Sequence, residues 1–365
     1  MRAVLSALVL AGLVVACGTA RSATADGGAP SSADASPMDD ATADAAVACT
    51  RTRGVVTGIL RFGDTPGLSS GSVRRAVSIG DRAYVATDDA IWRSSAPSTP
   101  AVKVAKITGV VDGLVAYGGG IWWSRETAAP TACPCSGDPS CTCSGSTVYA
   151  PSVVERLDEA SLQVASFSLE DSACSTGTSL INLSSTDAGV VAISRCAWGV
   201  SFDGARLTKR LISSTPVVAD SGSAVHGDNL YFASASGLVE AGVSLPHERV
   251  IPWKSQFAAL PRNFVVDDDS IYVIAPSVNV QEVRVYALSD GSATRTLPIA
   301  VGPGSLFLVG STLVASAYDA QHGNAAWRVS KQDGQTDLLA SGLAYGADDC
   351  ALYLSSYDGL TYFAP

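Results

Sequence analysis

Nine cysteines but only three histidines limit the chemistry open to this 365-residue chain. Imidazole is the side chain that moves protons near neutral pH, yet His226, His247 and His322 form no H-x-x-x-H or H-E-x-x-H pairing. His322, in the loop from Tyr318 to Asn324, is the strongest single candidate for acid–base work, whereas His226 and His247 read as solvated turn residues. Asp267-Asp268-Asp269 gathers carboxylate oxygens of the kind a hard cation needs. Equivalent positions elsewhere hold Gly-Asp or Gly-Ser, so a solvated turn is the expectation and no metal is assigned. Seven glutamates permit a carboxylate-based glycosidase or lyase without pointing to one. No residue is assigned as catalytic, and no cofactor is expected.

The first 18 residues are more specific. Behind Arg2, the uncharged run Ala3 to Ala16 is too short to span a bilayer and fits a secretory signal peptide over residues 1–16. It ends Val14-Val15-Ala16-Cys17-Gly18, which resembles the lipobox of bacterial lipoproteins. That resemblance implies cleavage before Cys17, diacylation of its sulfur and acylation of the new amino terminus. Several acyl chains anchor stably where one is marginal. Gly18 after the cysteine resembles the enteric sorting signal for the outer membrane. The expected location is therefore the cell envelope, lipid-anchored, on the outer membrane of a Gram-negative bacterium.

Residues 17–48 supply the lipidated cysteine and a tether almost all of Ala, Ser, Thr, Gly, Asp and Pro, with Met38 and Val47 the only larger apolar side chains. Such a segment buries too little to order itself, and as a flexible coil it reaches roughly 30 Å. Loss of residues 1–16 leaves 23 Lys+Arg against 34 Asp+Glu, a net charge of −11. No basic run exceeds two residues, so nucleic acid is not an expected partner.

A repeated scaffold must hold the remaining candidates. Aligned on Tyr84, Trp122, Val191, Tyr231, Tyr272, Val314 and Tyr353, seven apolar segments recur at intervals of 38, 69, 40, 41, 42 and 39 residues. Each unit reads as a turn, a strand, a loop, a strand, a turn and a strand, and cannot bury both faces without neighbours. Gly80-Asp81, Gly227-Asp228, Asp268-Asp269, Gly310-Ser311 and Asp348-Asp349 precede strand starts, while Asp203-Gly204, Asp290-Gly291 and Asp333-Gly334 fit tight turns between third and fourth strands. Alternation, as from Val283 to Leu288, supplies packed faces. The expected fold is all-β, a β-propeller of seven four-stranded blades over residues 49–365, closed by an N-terminal strand, Val55 to Arg61, pairing with Gly359 to Phe363. That fold leaves no place for an α/β-hydrolase nucleophile. The 69-residue interval marks an insertion at 125–147.

Eight cysteines remain beside Cys17, an even number that implies disulfides in an exported chain. The repeat places Cys174 and Cys196 on one rim, where they should pair. Cys49 and Cys350 fall together on the other, where a bond would lock the ring. Cys133, Cys135, Cys141 and Cys143 lie within the insertion. Their C-x-C spacing departs from the C-x2-C of zinc sites, so two local disulfides are favoured, as 133–143 with 135–141 or 133–141 with 135–143; a metal site or free thiols stay open.

The units ending Ala287-Leu288-Ser289-Asp290-Gly291 and Arg328-Val329-Ser330-Lys331-Gln332-Asp333-Gly334 resemble the repeats of quinoprotein-like and NHL/TolB-like propellers. The resemblance implies the fold and an envelope setting. The tryptophan that closes each quinoprotein repeat is absent, so it implies no quinone. Loops between second and third strands share a rim with the insertion and carry Asp88, Asp89, Trp123, Arg125, Glu126, Arg195, Trp198, Asn279, His322 and Tyr357. Aromatic and arginine side chains on loops suit recognition, while packing between blades is the competing reading for Trp123 and Trp198. The expected function is a lipid-anchored binding or scaffold module for an envelope protein or glycan; the alternative is a propeller-type hydrolase or lyase acting on polysaccharide or peptide.

Overall fold

The computed structural model describes residues 56–364, less 96–98, 110, 127–151, 170–181, 195, 203, 205, 219–221, 253–262, 275–281 and 349. The compact unit Ala46–Pro365 is built from seven four-stranded antiparallel sheets. Val56–Arg61 (β1) comes first in the chain and joins the last sheet. Blade 1 is Arg75–Ile79 (β2), Arg82–Ala86 (β3), Ala90–Ser94 (β4) and Val102–Lys106 (β5); blade 2 is Val111–Tyr117 (β6), Gly120–Glu126 (β7), Ser152–Asp158 (β8) and Val164–Ser168 (β9). Blade 3 is Asn182–Thr186 (β10), Gly189–Ile193 (β11), Ala197–Phe202 (β12) and Leu207–Ser213 (β13); blade 4 is Ser223–His226 (β14), Asn229–Ser234 (β15), Gly237–Gly242 (β16) and Glu248–Pro252 (β17). Blade 5 is Phe264–Val266 (β18), Ser270–Ile274 (β19), Glu282–Ala287 (β20) and Ala293–Pro298 (β21); blade 6 is Pro303–Val309 (β22), Thr312–Asp319 (β23), Gly323–Val329 (β24) and Thr336–Ser341 (β25). Leu343–Ala347 (β26), Leu352–Ser355 (β27) and Gly359–Phe363 (β28) form blade 7 with β1 as its outer strand.

Each innermost strand touches the next, from β2 through β6, β10, β14, β18 and β22 to β26, and β26 touches β2. The seven-bladed propeller and its closing strand stand as expected: Val56 pairs with Phe363 and Arg61 with Gly359. β7 continues through Glu126 and β8 begins at Ser152, so Arg125 and Glu126 are strand residues and the long connection starts after them.

The cores lie between blades rather than within them. Successive residues of a second strand go to opposite faces: Val85 joins the cluster shared with blade 7, and Tyr84 the cluster shared with blade 2. All seven residues that reveal the repeat point the same way. Tyr84, Trp122, Val191, Tyr231, Tyr272 and Val314 each pack onto the following blade, and Tyr353 packs onto blade 1. Each such buried side chain stabilises the ring by about 1.5–3 kcal/mol. The outer strands expose Lys103, Lys106, Arg210, Arg249 and Arg295, and charges there oppose edge-to-edge pairing.

Three of these tyrosines also use their hydroxyls. Tyr84 donates to Glu159 of blade 2 (2.9 Å). Tyr272 donates to Asp267 (3.0 Å), which also accepts from Lys331 of blade 6 (2.7 Å). Tyr353 donates to Asp348 (2.5 Å) and lies 2.6 Å from Ser78 Oγ of blade 1. Burial, with the Glu159 carboxylate adding to it, pushes Tyr84 up to about 12, and burial raises Tyr231 and Tyr272 as well. Tyrosine in an unfolded chain ionises near 10. The fold therefore favours the neutral phenol, and this stabilisation is complete below about pH 10 and lost as pH rises towards 12. Thermal scans across that window should show a falling Tm. A Tyr84→Phe/Tyr272→Phe variant should melt lower at neutral pH and show a shallower fall; an unchanged slope would remove these phenols as its cause.

Candidate functional site

Strand direction divides the loops into two rims. The upper rim carries connections between second and third strands and those between blades; the lower rim carries the remaining turns. On the upper rim, Asp88 and Asp89 stand exposed between β3 and β4. Both are occupied by cations from the same chain: Asp88 accepts two bonds from Arg74 (2.8 and 2.7 Å), and Asp89 accepts from Lys103 (2.6 Å) and Thr87 (2.8 Å). Tyr357, between β27 and β28, is 91 % exposed. His322 follows β23; its Nδ1 bonds the Asp319 carboxylate and its ring stands edge-on to Trp327, 5.3 Å away. Asp319 sits below the usual carboxylate range because the Gln321 N–H and then His322 donate to it.

Trp123 and Trp198 correct the sequence reading. Trp123 is fully buried between blades 1 and 2, and Trp198 is buried between blades 2 and 3, so neither ring faces a partner. Both faces of every blade are covered, which leaves no solvent side for a strand tryptophan. Arg125 is held inward as well. Its Nε and a terminal nitrogen bond both oxygens of Glu155 (2.7 and 2.8 Å), its other terminal nitrogen bonds the Thr108 carbonyl (2.9 Å), and Trp123 Nε1 donates to Glu155 (2.6 Å). The hydrogen bonds it donates to Glu155 raise the Arg125 pKa further. This buried cluster at the base of the long connection was not foreseen; its signal is the charged residue at an inward position of Val153-Val154-Glu155-Arg156-Leu157.

The side chain of Glu126, and all of Arg195 and Asn279, lie outside the described residues, as do Cys17, Cys49, Cys174 and the four insertion cysteines, Cys133, Cys135, Cys141 and Cys143. Cys196, on the upper rim, and Cys350, on the lower, are each disulfide-bonded. The expected pairings Cys174–Cys196 and Cys49–Cys350 each have one member beyond the described residues.

On the lower rim, His247 Nε2 lies 3.3 Å from the buried Glu240, whose second oxygen accepts two bonds from Arg249 (2.8 and 2.6 Å). His226 Nε2 lies 2.8 Å from Asp268. Asp267 serves its own turn, accepting from the backbone of Ser270 (2.9 Å) besides Tyr272 and Lys331. Gly67-Leu68-Ser69-Ser70-Gly71 spells a G-x-S-x-G string, but it occupies the crossing from blade 7 to blade 1. Ser72 Oγ there closes a 3-10 turn on the Ser69 backbone (3.0 and 2.7 Å), with no strand-to-helix elbow to present a nucleophile.

No protein-family model and no curated protein matches this chain. Among solved structures, the WD40 β-propeller domain of Doa1 is similar with a TM-score of 0.51 and 13 % identity, over 84 % of this chain and 96 % of that one. A chain of the Mitotic Checkpoint Complex gives 0.52 and 11 %, over 87 % and 96 %. BamB from Moraxella catarrhalis gives 0.45 and 11 %, over 78 % and 79 %. At these identities the likeness is one of fold.

Proposed function

We propose that this propeller, of the quinoprotein-like or NHL/TolB-like kind, is a lipid-anchored module of the cell envelope that holds a protein partner on its upper rim. The observation that carries the reading is Tyr357, a large aromatic left 91 % exposed at a loop tip in a chain whose other tyrosines mostly go to blade interfaces. Tyrosine is enriched at protein interfaces, where its ring supplies contact area at low entropic cost. The one long connection between second and third strands opens on the same rim. A structural neighbour that belongs to the Mitotic Checkpoint Complex shows that the fold serves in a protein assembly. Cys17 is the proposed acyl acceptor, and Cys49–Cys350 and Cys174–Cys196 are the proposed disulfides.

The test is capture from detergent-solubilised envelopes. Tagged wild-type chain should retain a defined protein, while excision of residues 130–146 or Tyr357→Ala should lose it and His247→Ala on the lower rim should keep it. Cys17→Ser should abolish incorporation of a labelled fatty acid in the same cells. Capture that survives both upper-rim changes but fails with His247→Ala would move the interface to the lower rim, and equal labelling of Cys17→Ser would remove the anchor.

A further inference from the structure

Two neighbouring blades repeat one small unit on the upper rim. Tyr318-Asp319 ends β23 of blade 6, and Tyr357-Asp358 lies between β27 and β28 of blade 7. Tyr318 is 72 % exposed and Tyr357 91 %. Backbone pairing joins them into one surface: Tyr318 is opposite Asn324, the Asn324 carbonyl accepts from Gly342 N (2.7 Å), and Leu343, itself exposed, is opposite Ser355, two residues before Tyr357. An exposed ring followed by a carboxylate is thus presented twice, with an apolar side chain between.

Blade 1 shows what carboxylates on this rim take. Asp88 is bound by the guanidinium of Arg74 and Asp89 by the ammonium of Lys103. The chain fills that blade with its own cations. In blade 7, Asp358 is exposed beside an exposed ring, and in blade 6 the backbone and His322 hold Asp319 in its charged form beside Tyr318. A ring face and a carboxylate together favour a guanidinium, through cation–π attraction and a charge-assisted hydrogen bond. A neutral glycan would use the rings and leave the exposed Asp358 carboxylate without a counter-charge, and an anionic one would be repelled by a chain of net charge −10.

We infer that the Tyr318-Asp319 and Tyr357-Asp358 pairs form a docking surface for a basic, arginine-bearing protein segment. This rests on the upper-rim binding role and names the chemistry of its partner. The segment lays one arginine over each tyrosine, with the residues between them against Leu343.

Full-length protein in detergent is titrated with fluorescein-labelled hexa-arginine and, as its uncharged counterpart, hexa-citrulline. Hexa-arginine should bind, more weakly as salt rises, and hexa-citrulline should not. Tyr318→Ala/Tyr357→Ala should weaken binding by about tenfold, the scale of two exposed cation–π contacts. Asp358→Asn should weaken it severalfold, and Asp81→Asn, the same charge change on the lower rim, should leave it unchanged. Equal binding by the double tyrosine variant, equal binding of hexa-citrulline, or an equal loss with Asp81→Asn would each overturn the inference. If hexa-arginine does not bind while upper-rim capture of an envelope protein persists, the basic-segment inference falls and the binding role stands.

Discussion

Glu155→Ala should destabilise the propeller by about 3–5 kcal/mol, the cost of leaving a buried charge without its partner. Glu155 and Arg125 expose only 10 % and 14 % of their side chains. The carboxylate satisfies both Arg125 and the Trp123 indole, so its loss strands three N–H donors inside the interface between blades 1 and 2. A cost of that size is a large part of a typical domain's stability. Arg125→Met/Glu155→Leu removes both charges and should recover most of it, since buried ion pairs contribute little over apolar packing of similar volume. Denaturant titration of the wild type, both single variants and the double variant gives the cycle. A Glu155→Ala loss below about 1 kcal/mol would mean that the pair is solvated.

Gly291→Ala should cost about 3 kcal/mol, from two sources that coincide. The backbone sits at φ +68°, and a Cβ there would lie 2.3 Å from the Pro252 carbonyl oxygen of the preceding blade; left-handed backbone and overpacking each cost about 1–3 kcal/mol. Gly334 repeats the arrangement in the next blade, at φ +79° and 2.5 Å from the Pro298 oxygen. Gly204 supplies the control, with φ +86° and nothing within 4 Å of its Cβ position. Gly204→Ala should therefore lose about 1 kcal/mol, for backbone strain alone. Equal losses at Gly204 and Gly291 would show that the approach between blades contributes nothing.

The Asp-Gly pairs illustrate how the chain could be read. They announce a turn between third and fourth strands, and Gly204, Gly291 and Gly334 do adopt positive φ there, but nothing local to them reveals which neighbour presses on the turn. The blade spacing was legible because one large side chain per second strand must fill each gap between sheets. Trp123 and Trp198 stood between two readings, rim recognition and blade packing, for the same reason: alternation assigns a residue to one face or the other, and only the ring closure makes both faces interior. Glu155 was passed over because a lone glutamate among seven has no spacing to mark it, and its partners come from the strand alongside. Tyr357 was legible as a loop aromatic. Tyr318 was not singled out, because it ends a strand, and only the parallel with Tyr357-Asp358 in the next blade distinguishes it from the buried residues before it.

The closing strand decides how this disc answers mechanical load. β1 enters its sheet at Val56 on the lower rim and leaves at Arg61 on the upper, where the Phe62 N–H still bonds the Asp358 carbonyl (3.0 Å). A pull on the chain before Val56, resisted by a partner gripping Tyr357, acts along the strand and shears the whole β1–β28 ladder at once. Peeling, which breaks one rung at a time and needs far less force, would require the pull to come sideways. The grip at Tyr357 bears directly on β28, so the force path runs from that strand across its ladder to β1, the pair that closes the ring.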